Sequence, residues 1–437
     1  MPTSPRIAIR RLAAARVISV TGSEAGWIAL MVAIYAATHS TVWMSASLFV
    51  SIGASGLFTP LLGALGDRID RRRVMIASEL AAAGVAGVMA FTHHPLALIA
   101  LAFISAIAQS PYFSASTAAV PNLVPVEDVA WANSTIAIGR NSGALLGPLL
   151  GGAVAGLLDP SVVFGANAIC FAGSAAMVWT VRGTFADPGR IEAEEHEGLR
   201  AGFRFILAEP VLRLITLAWI VLLFLLGPVL VAELPLARSF GVGSVGYGIL
   251  VACWGGGAIV GSFMGRRLAV SHERMTMVGG CAVIGAGFAV VAFAPAFGFA
   301  LAGMATAGLA EGSVSVSEQG ILQRRTPDAV RSRATAAIEA ASLGAFALSF
   351  PAAGFMINLI GVRGVYLLAG VGCAVSALIL IPAMRELDRL PVGQRPQVPD
   401  RFEVGGFGED RPDQRDGATG AVALDRELSA NGGVHPH

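Results

Sequence analysis

The sequence is dominated by long apolar segments separated by short polar connections. The segment from Met44 to Leu65 has no charged residue, and the segment from Val74 to Phe91 has only Glu79. Residues 66–73, between them, contain four arginines and two aspartates. Hydrocarbon excludes charge at this density, whereas a helix of about 20 apolar residues spans a bilayer. The two segments are therefore predicted to be membrane helices joined by a tight loop at the membrane surface.

The same criterion predicts about twelve transmembrane helices over the whole chain. Composition agrees, because 55% of the residues are hydrophobic and 14% are charged, against about 25% charged in soluble proteins. We therefore expect an all-α integral membrane protein. The expected helix cores are residues 14–37, 43–65, 74–92, 96–119, 131–157, 161–182, 211–235, 245–267, 276–294, 298–321, 334–357 and 362–384.

The basic residues, all of them arginine, are distributed unevenly between the two sides of the predicted bundle. The connections on one side contain only Arg238 and Arg363. Short connections rich in arginine stay in the cytoplasm. We therefore expect a multi-pass protein of the cell's inner (plasma) membrane with both termini in the cytoplasm. The arginines assigned to the cytoplasmic side are Arg6, Arg10, Arg11, Arg16, Arg68, Arg71, Arg72, Arg73, Arg266, Arg267, Arg274, Arg324, Arg325, Arg331 and Arg333.

The polar stretch 183–209 divides the chain into two parts with six predicted helices each, residues 1–182 and residues 210–384. Within this cytoplasmic linker, residues 197–208 could form a short amphipathic helix. The tail, residues 385–437, has few large apolar side chains and is expected to be disordered. The predicted apolar face of the linker helix consists of Leu199, Phe203 and Ile206.

Two stretches of similar sequence, residues 125–154 and 327–356, occupy corresponding positions in the two parts. Pro125, Ala132 and Gly151 of the first correspond to Pro327, Ala334 and Gly354 of the second. Two similar parts in the same orientation are typical of a repeat about an axis along the membrane normal. The expected fold is therefore a bundle of two pseudo-symmetric six-helix halves.

The loop sequence Gly-Ala-Leu-Gly-Asp-Arg-Ile-Asp-Arg-Arg-Arg, residues 63–73, resembles the loop between the second and third helices of the major facilitator superfamily of transporters. In that family, the loop latches the two halves at the cytoplasmic side and releases them in the inward-open state. The resemblance implies that Gly63 and Gly66 allow close helix approach, and that Asp67, Arg68 and Arg72 form the latch. The alternative is that these arginines only set the topology.

The fifth predicted helix has glycine at every fourth position from Gly139 to Gly151, which gives a ridge for close helix packing. Pro148 is expected to bend the helix. The ridge resembles a motif that antiporter members of the same superfamily carry on their fifth helix. On physical grounds alone it remains a packing device. The matching residues are Gly143, Gly147, Pro148, Gly151 and Gly152.

A narrower resemblance rests on this ridge, on Pro125, Ala132 and Asn133 before it, and on residues 323–327. Over about residues 10–385 the chain is similar to the drug:proton antiporter branch that includes macrolide-efflux and enterobactin-exporter-like proteins. The resemblance implies a secondary active transporter.

Five ionisable residues within the predicted helices are singled out: Glu24, Glu311, Glu318, Glu339 and Arg140. Glu79 and Glu233 can each reach an interface or an arginine and are expected to be structural. An ionisable group at the bilayer centre costs about 2.5–3.5 kcal/mol even on insertion scales, so its presence requires a reason. A carboxyl group held inside the bundle could take up a proton on one side of the membrane and release it on the other. These five residues are therefore candidates for proton coupling. The alternative is that the acids pair with Arg140 or cap backbone groups.

The leading hypothesis is proton-coupled efflux of small lipophilic compounds by alternating access, in a monomer surrounded by lipid. The alternatives are an exporter of one metabolite, such as a siderophore, or a membrane-embedded sensor or enzyme. No phosphate-binding loop, His-Glu-x-x-His or Gly-x-Ser-x-Gly motif occurs, which disfavours an ATP-driven pump or an enzyme. We expect no cofactor and no metal, because the four cysteines are scattered. The net charge of +1 gives no reason to expect nucleic acid.

Overall fold

The computed structural model describes residues 4–66, 70–181, 185, 198–268 and 272–389, and this part of the chain is α-helical without β-strands. A 3-10 turn, Val126–Asp128, precedes α5, and a π-helical turn, Met275–Gly279, leads into α10. The helices are α1 Pro5–Thr38, α2 Thr41–Gly66, α3 Arg71–Met89, α4 Pro95–Leu123, α5 Val129–Leu157, α6 Pro160–Thr180, α7 Gly198–Ala208, α8 Pro210–Ser239, α9 Gly243–Gly265, α10 Gly280–Ala292, α11 Phe297–Arg325 and α12 Asp328–Arg389.

The last helix is two helices that meet at Gly361, where φ is 75°. Positive φ is readily available only to glycine, so the chain turns there into two arms, residues 328–360 and 362–389. With α7 set aside, the described chain supplies twelve long helical segments. Eight of its helices, counting both arms of α12 as one, are long and apolar enough to cross a membrane. The predicted all-α membrane architecture is confirmed.

Local caps explain why the connections are short. Pro160 occupies the first turn of α6, where its missing N–H costs nothing. Asp159 caps this helix by accepting a hydrogen bond from the Ser161 backbone N–H at 2.8 Å and another from the Ser161 hydroxyl. The hydrogen bond from the hydroxyl has the larger effect, and together the two bonds hold the pKa of the Asp159 carboxyl below its usual range. Asp70 caps α3 in the same way, accepting from the Arg72 N–H at 2.9 Å.

The first helix begins well before the predicted residue 14, at Pro5. Arg6 therefore lies on a helical turn and not in a preceding segment. Arg16, which falls inside the predicted helix core 14–37, lies within α1 and is half-buried. Its guanidinium stands 5.2 Å from the centroid of the Tyr112 ring on α4. An arginine can lie inside a helical bundle in this way, because its long aliphatic stem packs against apolar groups and its guanidinium makes a cation–π contact.

The N-terminal half (α1–α6) and the C-terminal half (α8–α12) meet mainly through α5 with α9 and through α2 with the first arm of α12. The Thr41 hydroxyl donates to the carbonyl oxygen of Gly354 at 3.2 Å. The Arg238 guanidinium lies 4.6 Å from the Tyr35 ring centroid. These contacts lie at the end of the bundle opposite the arginine clusters, which we call the arginine-poor end. The bundle is therefore closed at that end.

Polar contacts at the opposite, arginine-rich end join helices of the same half. Arg6 pairs with Asp128 at 3.7 Å within the N-terminal half. Arg325 pairs with Glu209 at 3.1 Å, and Arg324 pairs with Glu273, within the C-terminal half. Among the described residues, the ion pairs at this end therefore join helices within each half and not between the halves.

The linker contains a helix, α7, that packs on the first arm of α12. Its buried side chains are Phe205 and Ile206, which are 4% and 3% exposed. Phe203, a member of the predicted apolar face, is partly buried, while the side chain of Leu199 lies outside the described part. The helix reaches α12 through Gly202, whose missing side chain admits the Arg333 carbonyl group. The predicted tail from residue 385 begins inside α12, which ends at Arg389.

Glu209 connects three elements at the arginine-rich end, so its removal should destabilise the C-terminal half. Its carboxylate accepts from the Leu212 N–H at 2.6 Å at the start of α8, and from Arg325 at the end of α11. Glu209→Ala is expected to lower the free energy of unfolding by about 2–4 kcal/mol, because a cap and an enclosed ion pair are lost together. Thermal unfolding in detergent measures this. Glu127→Ala, at an exposed position, is the control, and equal unfolding of both variants would contradict the prediction.

Candidate functional site: a central acidic cavity

A cavity of about 620 Å³ lies between the two halves, and we call it the central cavity. Helices of both halves line it, with α1 to α4 and α6 on one side and α8 to α12 on the other. Six aromatic side chains cover much of its wall. They are Trp27, Phe164, Trp219, Trp254, Phe288 and Phe346.

Three carboxyl groups face the central cavity: Glu24 on α1, Glu233 on α8 and Glu311 on α11. Glu233 is only 7% exposed. Within the described residues, none of the three makes a hydrogen bond or an ion pair, and no arginine belongs to the lining. A buried charge without a partner is costly, so such a group requires a proton or a cation when its surroundings close. The cavity therefore provides negative charge that the protein itself leaves uncompensated.

The aromatic groups form a continuous wall beside these acids. The rings of Trp254 and Phe288 are stacked, with centroids 5.6 Å apart and planes inclined by 8°. Phe288 also contacts the buried ring of Tyr366, at 6.1 Å between centroids. Aromatic faces bind both apolar surfaces and cations. This wall can hold the apolar body of a ligand, and its faces favour a positive charge.

A small polar group lies on the N-terminal side of the cavity. The Ser23 hydroxyl donates to the Gln109 side-chain oxygen at 3.3 Å, and the Gln109 amide donates to Ser105 at 3.1 Å. Asn167, on α6, has a buried side-chain oxygen with no hydrogen-bond partner among the described groups. A few oriented polar groups within an apolar wall are typical of small-molecule sites.

The structure brings together only two of the five residues predicted for proton coupling. Glu24 and Glu311 line the central cavity from opposite halves. Glu318 lies on α11, half-buried, outside the lining. Glu339 and Arg140 are exposed and also lie outside it. Arg140 forms no ion pair with any described acid, so the alternative that the acids pair with this arginine does not hold in this arrangement.

From the sequence, Glu233 was expected to be structural and was not among the coupling candidates. It is a single acid in an apolar segment, which is the same signal that identified Glu24. Its position near the end of the predicted helix suggested that it could reach the membrane interface. In the structure, α8 continues to Ser239, which leaves Glu233 inside the bundle.

The glycine ridge of α5 packs against α1 and places Glu24. A Cβ added at Gly147 would overlap the Cβ of Glu24 and lie 2.8 Å from the carbonyl oxygen of Thr21. Gly143 and Gly151 contact the same helix one turn away on either side. Gly152 instead faces the other half, and a Cβ there would lie 2.6 Å from the carbonyl oxygen of Ser244 on α9.

Only part of the loop motif lies within the described chain. Gly63 and Gly66 are in the last turns of α2, while Asp67 and Arg68 lie outside the described residues. The Arg72 guanidinium donates to the carbonyl oxygen of Trp179, at the end of α6. A cation at a helix C-terminus is stabilised by the exposed carbonyl groups. In this arrangement Arg72 therefore binds its own half, and the latch between halves stays a prediction.

A helical bundle of two halves, closed at one end around a cavity that both halves line, defines a membrane transporter. The model of the Major Facilitator Superfamily matches residues 12–236 and 225–420. The chain belongs to this superfamily.

Bacterial exporters are among its relatives. The enterobactin exporter EntS of Citrobacter koseri is 27% identical over 407 residues, which cover 90% of this chain and 95% of the relative. The multidrug resistance protein MdtG of Proteus mirabilis is 30% identical over 134 residues, 30% of this chain and 33% of that protein.

Solved transporter structures share the fold. An inward-facing, occupied bacterial homologue of the human lysosomal transporter Spinster has a TM-score of 0.73 at 13% identity, over 90% of this chain and all of that one. The nucleoside transporter NupG has a TM-score of 0.68 at 14% identity, covering 86% of this chain and 99% of that one.

Proposed function

We propose that the protein is a proton-coupled exporter of small lipophilic compounds that works by alternating access, and that it prefers positively charged compounds. One observation carries the proposal: Glu24, Glu233 and Glu311 face one aromatic cavity from both halves, with no described cation beside them. The export direction is supported by the relatives that are named as enterobactin exporters.

The three carboxyl groups give a physical basis for exchange. An ionised carboxylate enclosed in a low-dielectric cavity is stabilised either by a bound proton or by the positive charge of a ligand. Both meet the same need, so loading a cationic compound favours release of the proton, and binding of a proton favours release of the compound. The aromatic wall holds the apolar part of the compound in either case.

The closed arginine-poor end supports the direction of access. If the arginine-rich end faces the cytoplasm, a compound enters the central cavity from the cytoplasm or the inner leaflet. The arginine-rich ends then close, the opposite ends part, and the compound leaves on the far side. This proposal places both termini in the cytoplasm, and a single chain contains the whole cavity.

Reconstitution in liposomes tests the proposal. In vesicles whose lumen is acidic and whose membrane potential is clamped, protein with its arginine-rich end outward should accumulate a fluorescent lipophilic cation such as ethidium. A protonophore should abolish the accumulation, and an anionic dye of similar size should not accumulate. Accumulation that ignores the pH gradient would contradict proton coupling, and preference for the anionic dye would contradict the proposed role of the acids.

Export of one metabolite, such as a siderophore, is the second candidate. The observation that favours it is the similarity to enterobactin exporters along most of both chains. In the same vesicles, enterobactin should then inhibit the accumulation of any dye that is transported. No cationic dye should show saturable accumulation when it is added alone. The opposite result, saturable transport of several unrelated cations with no effect of enterobactin, favours the broader exporter.

A further inference from the structure

One face of α5 passes from buried to exposed along its length. Arg140, Ala144, Pro148 and Gly152 are spaced four residues apart, so neighbours in this series touch and the four form one inclined stripe along the helix. Pro148 and Gly152 are buried against α9, whereas Ala144 and Arg140, closer to the arginine-rich end, are exposed. Arg140 has no hydrogen bond or ion pair among the described residues.

The facing side of α9 changes in the same way. Gly248 lies against the Pro148 carbonyl group, and Ala252 is 7% exposed. Val260 and Met264, further toward the arginine-rich end, are each 51% exposed although both are apolar. Exposure therefore rises on both helices toward the arginine-rich end, which is the pattern expected if α5 and α9 separate there into a cleft. Closing the arginine-rich end would bring these exposed faces together.

The packing of α9 sets which residues would meet. Gly152 lies beside Gly248, and the Leu145 side chain lies 3.7 Å from a Cβ added at Gly256, so α5 and α9 are antiparallel. At about 3.6 residues per turn in both helices, this register places Arg140 level with about residue 260 of α9.

The same α9 positions can be matched to α11, which runs parallel to it. A Cβ added at Gly257 would lie 2.9 Å from the Leu309 nitrogen, and Ala258 lies against Gly312. Residue 260 is therefore level with Glu311 and the turn after it. Arg140 and Glu311 thus lie at one depth, on opposite sides of the cleft. Glu318 lies seven residues further on, about 10 Å closer to the arginine-rich end.

We propose that Arg140 is a positioning residue that forms an ion pair with Glu311 when the arginine-rich ends of the two halves close. In the open cleft, water solvates the guanidinium, which also experiences the positive charge of Arg16 on the neighbouring helix. Closure removes that water, and a lone buried guanidinium would oppose it. The Glu311 carboxylate supplies the missing partner, since arginine and carboxylate form strong charge-assisted hydrogen bonds. The inference rests on the alternating access that we propose for this chain.

Charge exchange tests the pair through closure of the arginine-rich end, because Glu311 also lines the central cavity and its replacement is expected to stop transport whether or not the pair forms. In a variant with its four cysteines replaced by serine, closure is measured as protection of Val260→Cys from a water-soluble thiol reagent. Arg140→Glu and Glu311→Arg should each lower this protection roughly tenfold or more, because each leaves a like-charged pair in the closing cleft. The double variant should recover the protection to within a few-fold of the original protein. Arg140→Glu combined with Glu318→Arg is the matched control and should not recover. Recovery by the Glu318 combination alone, or full protection in Arg140→Ala, would overturn the proposal.

Cross-linking tests the same pair without substrate or proton gradient, so it separates this inference from the proposed function. In a variant with its four cysteines replaced by serine, Arg140→Cys with Glu311→Cys should be joined by a short bifunctional thiol reagent. Arg140→Cys with Glu318→Cys should not. Tyr35→Cys with Arg238→Cys, at the closed end, is the positive control. If the control is joined and the Arg140–Glu311 pair is not, the two residues do not meet.

Discussion

Replacing Gly147 by valine is expected to reduce transport roughly a hundredfold, because the substitution moves a charged group out of the cavity wall. A Cβ at residue 147 would lie only 2.4 Å from the Cβ of Glu24 and 2.8 Å from the carbonyl oxygen of Thr21. Since a backbone group cannot rotate aside as a flexible side chain can, α1 must separate from α5. Overpacking of this kind costs about 1–3 kcal/mol of stability, so the variant should still fold.

The measurement for this first prediction is the initial rate of dye accumulation, normalised to inserted protein. Gly84→Val is the matched control, because a Cβ at Gly84 meets nothing within 4 Å. It introduces the same side chain into a membrane helix of the same half and should leave transport unchanged. Equal rates for the two valine variants would show that the close approach of α5 and α1 does not matter for transport.

Neutralising Glu24 or Glu311 is expected to abolish accumulation driven by a pH gradient. Glutamine has nearly the shape of a protonated glutamate but cannot release a proton, so the cavity loses a negative charge while its packing is retained. We expect Glu24→Gln and Glu311→Gln each to lower accumulation of a cationic dye roughly tenfold or more, since each removes one partner of a desolvated charge contact.

Glu339→Gln is the control for this second prediction, because Glu339 is exposed and does not line the central cavity. Its accumulation should equal that of the original protein. A dye-binding measurement at equilibrium separates loss of binding from loss of coupling. If both Glu24→Gln and Glu311→Gln accumulated the dye normally against a pH gradient, these two acids would have no role in coupling.

The helices themselves were predictable because one rule holds for every helix that crosses the bilayer: it needs about 20 mostly apolar residues. Length and hydropathy located the twelve long helical segments, including the two arms of α12 that meet at Gly361. The rule is silent on where a helix begins and on what a charged residue contacts. The first helix begins at Pro5 and not at residue 14, and Arg16 lies inside it in a cation–π contact with Tyr112.

The candidate site was only partly predictable for a related reason. A charged residue in an apolar segment shows that something must compensate it, but the side of the helix that it faces depends on neighbouring helices. Glu24, Glu311 and Arg140 gave the same sequence signal. The packing of α1 and α11 points Glu24 and Glu311 toward the central cavity, whereas Arg140 on α5 is exposed and lies outside the lining.

The amino-acid sequence alone thus determined the membrane class, the number of long helices and the family resemblance, because each follows from local composition or a contiguous motif. Only the tertiary structure decided that Glu233 joins Glu24 and Glu311 in one aromatic cavity. It also decided that the bundle is closed at its arginine-poor end. Both depend on contacts between segments far apart in the chain, and hydropathy contains no information about which helices those segments meet.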